Sequence, residues 1–434
     1  MAILAKRKVL SELGFAVPNL IILEQDHIGA HWSGDGQGFT DGAQKLGTSP
    51  EKDVGFPYNS RAWGPPWDEK INSAMFAYSW QRHLINRNCY GQWIDRGRPH
   101  PTHVEWMKYL NWVHDQASGG SDGCLKKTRV QKIGIKEDRW IVSCSDQQNA
   151  QSAHEADGLV FTGPGRALSF LGYESTLVSD GKTFWKNKDS FRGLHENVAV
   201  IGTGETAASI VVALLGLIDK SQAQVEFISR SGFVHSRGES YLENEVFTNP
   251  HKHWREIPLR SRQEFIARTD RGVISPAALE IIGISDNVRR MFGHVIRLEP
   301  KDFNVHVTLQ YTGGRKDEVR SYKRVVDARG FDPLWWLSER PDGIQFEDSA
   351  RGQLEAHVTS RGPSQESPAM KDKVLPLKDK IVPLIEQDLS IGGFAPRLHL
   401  PMLAGLEQGP GFPNLSCLGT LADCILKPYS TSPT

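Results

Sequence analysis

Cysteine is scarce in this sequence: there are five in 434 residues, and no two of them form a Cys-x-x-Cys pair. Such a set fits a reducing compartment, offers neither a disulfide framework nor a zinc site, and disfavours a disulfide reductase. An excess of charge of one sign is also missing, because 51 basic residues balance 51 acidic ones. Nucleic acid and anionic membranes are therefore not expected as partners.

Long apolar runs are missing as well. No stretch approaches the roughly 18 to 20 apolar residues that a membrane span requires. Residues 1–15 are interrupted by the basic run 6–8 and lack the apolar core of a signal peptide. We therefore predict a cytoplasmic α/β protein, and 434 residues are enough for two or three domains.

The sharpest motif lies in the middle of the chain. Residues 198–201 read Val-Ala-Val-Ile, which is typical of a buried parallel strand, and the turn Gly-Thr-Gly-Glu-Thr-Ala follows at 202–207. An apolar helix is predicted at 208–218 and a second strand at 225–228. A Gly-x-Gly-x-x-Ala turn within a complete βαβ unit indicates a dinucleotide-binding site.

Each position of this turn has a physical role. Gly202 permits the tight bend, Gly204 lets the backbone approach a pyrophosphate, and Ala207 lets the helix and strand pack closely. Thr206 lies at the helix start, where free N–H groups bind the pyrophosphate. The second strand ends in Ser229-Arg230-Ser231 rather than in an acidic residue, which suits a 2′-phosphate and favours NADPH over NADH. The alternative is a glycine turn followed by a surface arginine.

The N-terminal region looks like half of a second nucleotide-binding unit. A helix is predicted over residues 2–13, and a short strand at 20–23 ends in Glu24, where a Rossmann fold places its ribose-binding carboxylate. The ribose of FAD, which carries no 2′-phosphate, suits this carboxylate. The strand and glycine turn that normally precede the helix are not in the sequence. We expect that the chain starts downstream of a natural start or, less favoured, that it is a degenerate flavoprotein.

The remaining segments are less informative. Alternation and composition predict further strands at 139–144, 158–162, 305–310 and 325–327. Residues 338–380 are rich in proline, glycine and charge, and we predict loops and short elements there. Pro413-Asn414 predicts the start of a C-terminal helix. The apolar stripe of this helix comprises Leu415, Leu418, Leu421, Ala422 and Ile425.

Six ordered blocks stand out along the chain: His31-Trp32, LGTSPEKDVGFPY at 46–58, GTGETAAS at 202–209, ENEVF at 243–247, RTDRGV at 268–273 and QGPGFPNLS at 408–416. On these blocks the chain, from about residue 5 to about residue 427, resembles the flavin-dependent N-hydroxylating monooxygenases of siderophore biosynthesis, most closely the mycobactin-type L-lysine N6-monooxygenases. The sequence departs from the family in lacking the N-terminal glycine-rich FAD motif.

The resemblance implies an α/β fold with two dinucleotide-binding domains. Residues 1–190 and 321–434 would form a Rossmann-like FAD domain, apparently without its first strand, and residues 195–320 would form the inserted NADPH domain. The resemblance further implies that NADPH reduces FAD, that O2 adds to the flavin, and that the hydroperoxide hydroxylates the neutral side-chain amine of free L-lysine. No acid–base dyad is expected, so no catalytic side chain is assigned. Relatives are commonly homo-oligomers.

The resemblance also implies roles for individual residues. FAD contacts are implied for Glu24, His31, Trp32, Asn414 and Leu415.

Four further positions match substrate contacts of the family. Lys52 and Asn244 match contacts to the amino-acid carboxylate. Asp270 lies where ornithine-hydroxylating relatives carry an amide that contacts the side-chain amine. Ser416 lies in the first turn of the C-terminal helix, near the flavin pyrimidine ring. Each residue also has an alternative role without substrate. Lys52 would be an exposed lysine and Asn244 a surface turn residue. Asp270 would form a salt bridge to a neighbouring arginine, and Ser416 would cap a helix.

Several functions stay open at this point. The matching positions favour an amino acid with a distal amine, and the choice of lysine over ornithine or another diamine rests on the resemblance alone. A flavin-free, NADPH-binding relic is the non-enzymatic alternative, and the missing first strand is its only support.

Overall fold

The computed structural model of the chain describes residues 1–36, 38–119, 125–171, 175–238, 240–249, 253–270, 272–311, 315–337, 343–361 and 376–433. Its helices are α1 (Ala2–Glu12), α2 (Trp67–Met75), α3 (Trp80–Asn86), α4 (Tyr90–Asp95), α5 (His103–Ser118), α6 (Gly181–Asn187), α7 (Glu205–Leu214), α8 (Tyr241–Thr248), α9 (Leu259–Thr269), α10 (Pro276–Ile284), α11 (Asp348–Arg361), α12 (Leu377–Ile381), α13 (Gly405–Gln408) and α14 (Leu418–Leu426).

The strands fall into several sheets. They are β1 (Ile22–Glu24), β2 (Leu125–Lys136), β3 (Arg139–Asp146), β4 (Gln151–Ala156), β5 (Gly158–Val160), β6 (Arg166–Ala167), β7 (Val178–Asp180), β8 (Val198–Ile201), β9 (Val225–Ser229), β10 (His235–Ser236), β11 (Val273–Ile274), β12 (Val288–Phe292), β13 (His294–Lys301), β14 (Asn304–Gln310), β15 (Glu318–Tyr322), β16 (Arg324–Asp327), β17 (Phe331–Asp332), β18 (Gln345–Phe346) and β19 (Arg397–His399).

The two ends of the chain pack against each other. Helix α1 contacts α14, α5 and α2. Its buried face includes Leu4, Ala5, Val9 and Leu10, which recur at helical spacing. Because α14 comes from the other end of the sequence, this contact joins the first and last parts of the chain in one domain.

The described strands of this first domain include a five-stranded sheet and a separate pair. Strand β2 pairs in parallel with β1 and with β18. It also pairs antiparallel with β3, and β3 pairs antiparallel with β4. Strands β5 and β19 pair in parallel in a separate sheet. Strand β1 begins at Ile22, two residues later than the predicted start at Leu20, and its last residue is Glu24.

The middle of the chain folds around a parallel sheet with the order β12-β9-β8-β16-β7. In β8, Val198 and Val200 pack towards the helices that cover one face. The alternate residues Ala199 and Ile201 pack against the antiparallel sheet β13-β14-β15 on the other face. This burial on both faces explains why the strand is apolar throughout, and the predicted βαβ unit is confirmed.

This sheet includes two strands from outside the range 195–320 that was predicted for the NADPH domain. Strand β7 precedes that range and β16 follows it, yet both belong to the sheet because β16 pairs with β7 on one side and β8 on the other. The segment before β7 and the segment after β16 pair as the short antiparallel ribbon of β6 and β17. The carbonyl of Gly330 accepts a hydrogen bond of 2.9 Å from the Leu168 N–H beside this ribbon.

The prediction of loops and short elements across 338–380 is wrong for α11, which has 14 residues. Its buried residues Ala350, Leu354 and Val358 are spaced by four and join the core that includes β2 and β3. The polar and charged residues between them hid this narrow apolar stripe. Residues 338–342 and 362–375 of the segment lie outside the described residues. Among the helices that are described, none is long and apolar enough to cross a membrane.

Candidate active site

The glycine turn after β8 has the geometry of a dinucleotide cradle. Gly202 has φ +139°, and a Cβ there would lie 2.4 Å from the carbonyl oxygen of Ala328 and 3.3 Å from the Cβ of Ala207. Only glycine fits such a position. Gly204 caps α7, so this helix begins at Glu205 rather than at the predicted residue 208. The first N–H groups of α7, including that of Thr206, have no partner within the helix and are available to an anion.

Glu205 has a role that the sequence did not indicate. Its carboxylate accepts hydrogen bonds from the Ser275 N–H at 2.6 Å and from the Ser275 hydroxyl at 2.7 Å. Ser275 is the N-cap residue of α10. The carboxylate therefore ties the start of α7 to the start of α10. A contact between residues 70 positions apart leaves no local signal in the sequence.

The C-terminal end of β9 offers polar groups for a 2′-phosphate. Ser229 is buried, and its hydroxyl has no hydrogen-bond partner among the described residues. Arg230 is exposed, and the hydroxyl of Ser231 donates to the carbonyl of Phe233 at 3.2 Å. Because buried hydroxyls are normally satisfied, this combination of an unpartnered hydroxyl and an exposed guanidinium fits a phosphate ligand.

We expect Arg230→Ala to lower kcat/KM for NADPH by about 10- to 100-fold, the effect of losing a hydrogen bond between charged groups. Use of NADH should change by less than about twofold, since NADH has no 2′-phosphate for the guanidinium to bind. Steady-state kinetics with both nucleotides measures this difference. Arg289→Ala, which removes an exposed arginine from the neighbouring strand β12, is the matched control. An equal loss for the two nucleotides would show that Arg230 does not contact the phosphate.

Three predicted FAD contacts lie at or after the end of β1. Glu24 is the last residue of the strand, and His31 and Trp32 belong to a half-buried aromatic group. Glu24 accepts a hydrogen bond of 3.0 Å from the Asp26 N–H through one carboxylate oxygen. The rings of His31 and Trp32 are 5.0 Å apart in an edge-to-face arrangement, and Trp32 is 4.9 Å from His103. Burial lowers the pKa of His31 from 6.5 to about 4, assisted by His103 and Lys182. His31 is therefore neutral at physiological pH.

Acid should destabilise the fold through its buried histidines. Burial lowers the pKa of His31, His83 and His103 from 6.5 to about 4, so the unfolded chain binds protons that the folded chain rejects. Folding stability should therefore fall as the pH drops from about 6.5 towards 4. Burial also lowers the pKa of His399. Asp53 acts in the opposite direction, because its pKa is raised from 3.8 to about 6, but it is one group against four histidines.

Urea unfolding at pH 7.5 and pH 5.0 tests this expectation, with a lower midpoint at pH 5.0 as the predicted result. The variant His83→Phe should show a smaller difference between the two midpoints, because it removes one of these histidines. Equal midpoints at both pH values for the unsubstituted protein would contradict the prediction.

Lys52 and Asn244 face each other across the two domains. The Lys52 ammonium donates a hydrogen bond of 2.8 Å to the side-chain oxygen of Asn244. The Lys52 N–H closes a turn by donating a hydrogen bond of 3.0 Å to the carbonyl of Ser49. Asn244 lies on α8, which starts with a capping box formed by Ser240 and Glu243.

Asp270 and Asn414 form a second contact between the domains. The side-chain amide of Asn414 lies 3.5 Å from a carboxylate oxygen of Asp270, and it also donates to the carbonyl of Pro410 at 2.7 Å. The side-chain oxygen of Asn414 accepts from the buried Ser416 N–H at 2.8 Å. Asn414 therefore caps a 3₁₀ turn at Leu415–Cys417, and α14 begins only at Leu418. The predicted first turn of the C-terminal α-helix is a 3₁₀ turn.

The two contacts belong to one neighbourhood around the segment 410–417. A Cβ on Gly411 would lie 2.0 Å from the carbonyl oxygen of Phe247, so α8 packs directly against this segment. Burial raises the pKa of the Cys417 thiol well above its usual range, and the nearby charge of Lys52 acts in the opposite direction. The structure therefore brings Lys52, Asn244 and Ser416 to the same region.

The alternative role predicted for Asp270 is a salt bridge to a neighbouring arginine, Arg268 or Arg271. Arg268 donates to the carbonyl of Ser236 at 3.0 Å, and Arg271 lies outside the described residues.

Across the described part of the chain, no group of three or more histidine, cysteine or acidic side chains is placed to hold a metal ion. The site is thus composed of an ammonium, amides and a carboxylate between two nucleotide-binding folds.

Comparisons with known proteins identify the family of the chain. The family model for L-lysine 6-monooxygenase/L-ornithine 5-monooxygenase matches residues 74–283. The L-lysine N6-monooxygenase MbtG of Mycobacterium tuberculosis is 36% identical over 439 residues, which cover 100% of this chain and 93% of that protein. The chain belongs to this family.

Solved structures of similar proteins extend the comparison to the fold. The lysine monooxygenase NbtG from Nocardia farcinica has a TM-score of 0.80 and 34% identity, covering 100% of this chain and 97% of that one. The ornithine hydroxylase PvdA from Pseudomonas aeruginosa, at 15% identity, has a TM-score of 0.67 over 98% and 95% of the two chains and shows similarity of fold alone. The predictions of the family and of a fold with two dinucleotide-binding domains are both confirmed.

Proposed function

We propose that this protein uses FAD, NADPH and O2 to hydroxylate the side-chain amine of free L-lysine for hydroxamate siderophore biosynthesis. The observation that carries the proposal is the 2.8 Å contact between Lys52 and Asn244, which come from different domains and meet beside the segment 410–417. The names of the M. tuberculosis and N. farcinica relatives, both lysine monooxygenases, support lysine as the substrate.

Lys52 and Asn244 are suited to bind the carboxylate at the far end of the amino acid. The ammonium supplies the opposite charge, and the amide of Asn244 can donate a hydrogen bond to the same group. The Lys52–Asn244 bond already orients both side chains, so less conformational freedom is lost when the carboxylate joins them.

Asp270 is suited to bind the side-chain ammonium of lysine. A carboxylate attracts this cation and so favours an amino acid with a distal amine. The same charge raises the pKa of the amine and works against the neutral nucleophile that the reaction requires. Asp270 therefore acts in substrate binding and not as a general base.

NADPH fits the cradle after β8 and the polar groups that follow β9. Gly202 and Gly204 admit its pyrophosphate at the start of α7, and the unpartnered hydroxyl of Ser229 with the exposed Arg230 suits its 2′-phosphate. The lysine monooxygenase of N. farcinica has an NADPH domain.

FAD fits the polar groups of the first domain. The half-buried carboxylate of Glu24 ends β1, where it would accept a hydrogen bond from a ribose hydroxyl, and the neutral ring of His31 follows seven residues later in the chain. Asn414 and Leu415 begin the 3₁₀ turn that leads into α14, and the N–H end of this helix favours negative charge on the flavin pyrimidine ring. When bound and reduced, FAD supplies the activated oxygen, and the side chains described here bind the substrate, orient its amine and exclude water.

Product analysis tests the proposed substrate. The holoenzyme with NADPH is expected to form a hydroxylamine from L-lysine, whereas putrescine, which has no carboxylate for Lys52, should give little product. Formation of product from ornithine alone would overturn the assignment of lysine. Purified protein without flavin absorbance bands, even after incubation with FAD, would overturn the assignment of a flavoenzyme. The cytoplasmic location and the homo-oligomeric state stay predictions.

A further inference from the structure

Asp53 follows Lys52 in the chain, and its carboxylate lies in the protein interior with 0% exposure. One carboxylate oxygen accepts hydrogen bonds from the Gly55 N–H at 3.1 Å and the Tyr58 hydroxyl at 2.6 Å. The other oxygen accepts from the Trp80 N–H at 2.8 Å, at the start of α3. These donors are uncharged, so they satisfy the carboxylate without forming an ion pair.

A carboxylate in this place carries an energetic cost. Burial raises the pKa of Asp53 from 3.8 to about 6, and the bonds from Tyr58, Trp80 and Gly55 limit the rise. The group is ionised at neutral pH inside the protein, where desolvation disfavours a charge. A fully hydrogen-bonded buried carboxylate holds the backbone around it in one arrangement.

The backbone that Asp53 holds is the one that carries Lys52. The carbonyl of Phe56 accepts a hydrogen bond of 2.8 Å from the Gly419 N–H of α14. A Cβ on Gly419 would lie 2.2 Å from the carbonyl oxygen of Gly55, so the loop is pressed against this helix. Asp53 ties the other side of the same loop to α3. The loop is thus fixed between two helices, and Lys52 leaves it towards Asn244 while Asp53 points into the core.

We propose that Asp53 is a positioning residue that fixes the direction in which Lys52 reaches the carboxylate of the amino-acid substrate. The inference rests on the proposed function, because it needs Lys52 to bind substrate. It adds a buried group that makes no contact with the substrate and acts only through the neighbouring ammonium.

The variant Asp53→Asn tests the proposal, because it keeps the shape of the side chain and replaces one accepting oxygen with an NH2 group. At least one of the three bonds is then lost, and Lys52 is no longer held in one direction. We expect the KM for L-lysine to rise by about tenfold, with kcat and the KM for NADPH changing by less than about twofold. Asp68→Asn is the matched control, because Asp68 also accepts two backbone N–H bonds, from Trp63 and Gly64.

A double-mutant cycle with Lys52→Ala separates positioning from a general structural role. If Asp53 acts through Lys52, adding Asp53→Asn to Lys52→Ala should change the KM for lysine by less than about twofold. The proposal would be overturned if the fold-increases in the KM for lysine caused by the two substitutions multiplied in the double variant. It would also be overturned if Asp53→Asn alone left this KM unchanged. If Asp53→Asn fails to fold, Tyr58→Phe removes one donor to the same carboxylate, and its KM for lysine should rise by about two- to fivefold and show the same coupling.

This design also distinguishes the positioning role from the proposed function. An absence of hydroxylated lysine from the unsubstituted holoenzyme, or an unchanged KM in Lys52→Ala, would count against the function itself. If Lys52→Ala raises the KM for lysine as expected, but Asp53→Asn and Tyr58→Phe both leave it unchanged, only the role of Asp53 is contradicted. The proposed function is then still supported.

Discussion

Replacing Lys52 with alanine is expected to raise the KM for L-lysine by about 30-fold or more, which corresponds to the loss of about 2 kcal/mol for one partner of a close charge pair. Reduction of the flavin by NADPH should stay within about twofold of the unsubstituted rate, because the nucleotide cradle at Gly202 and Gly204 lies in the other domain. The two effects are measured separately, by hydroxylamine formation at varied lysine and by anaerobic flavin reduction.

Two further variants sharpen this test. Lys52→Arg keeps the charge with a different shape, so it should recover part of the affinity for lysine. Lys378→Ala, which removes an exposed lysine on α12, should leave the KM unchanged. An unchanged KM in Lys52→Ala would place Lys52 outside the substrate site, whatever its contact with Asn244.

The largest expected effect on stability concerns a buried ion pair between the two ends of the chain. The Lys6 ammonium on α1 and the Asp423 carboxylate on α14 are 2.8 Å apart, and each side chain is 1% exposed. The same carboxylate oxygen accepts a hydrogen bond of 2.8 Å from the indole N–H of Trp63. Removing the ammonium by Lys6→Met leaves a buried charge without its partner, which we expect to lower the unfolding free energy by about 3–5 kcal/mol.

Urea unfolding compares Lys6→Met with two controls. In Lys6→Met/Asp423→Asn the charge is removed and the amide oxygen still accepts from Trp63, so most of the lost stability should return. Lys8→Ala breaks an exposed pair with Glu12, whose side chains are 38% and 57% exposed, and should cost about 0–0.5 kcal/mol. A loss in Lys6→Met no larger than that in Lys8→Ala would show that the buried pair contributes little.

The parts of the fold that were predicted correctly are those whose cues lie close together in the chain. The unit from Val198 to Ser229 is an example, because a strand buried on both faces, a glycine turn and an apolar helix follow one another without interruption. Helix α1 and the strand β14 were predicted for the same reason. Helix α11 was missed because its apolar face is narrow and becomes a core only when β2 and β3 pack against it.

The sequence by itself determined the nucleotide-binding unit and the family, because these depend on backbone periodicity and on the order of short motifs. The residues suited to bind an amino acid were predicted only from the resemblance to that family. Only the tertiary structure decided which side chains meet. Lys52 and Asn244 are separated by 192 positions, and Lys6 pairs with Asp423 from the opposite end of the chain. The physical reason is that local patterns encode the conformation of a segment, whereas contacts between distant side chains depend on how packed helices and sheets place those segments in space.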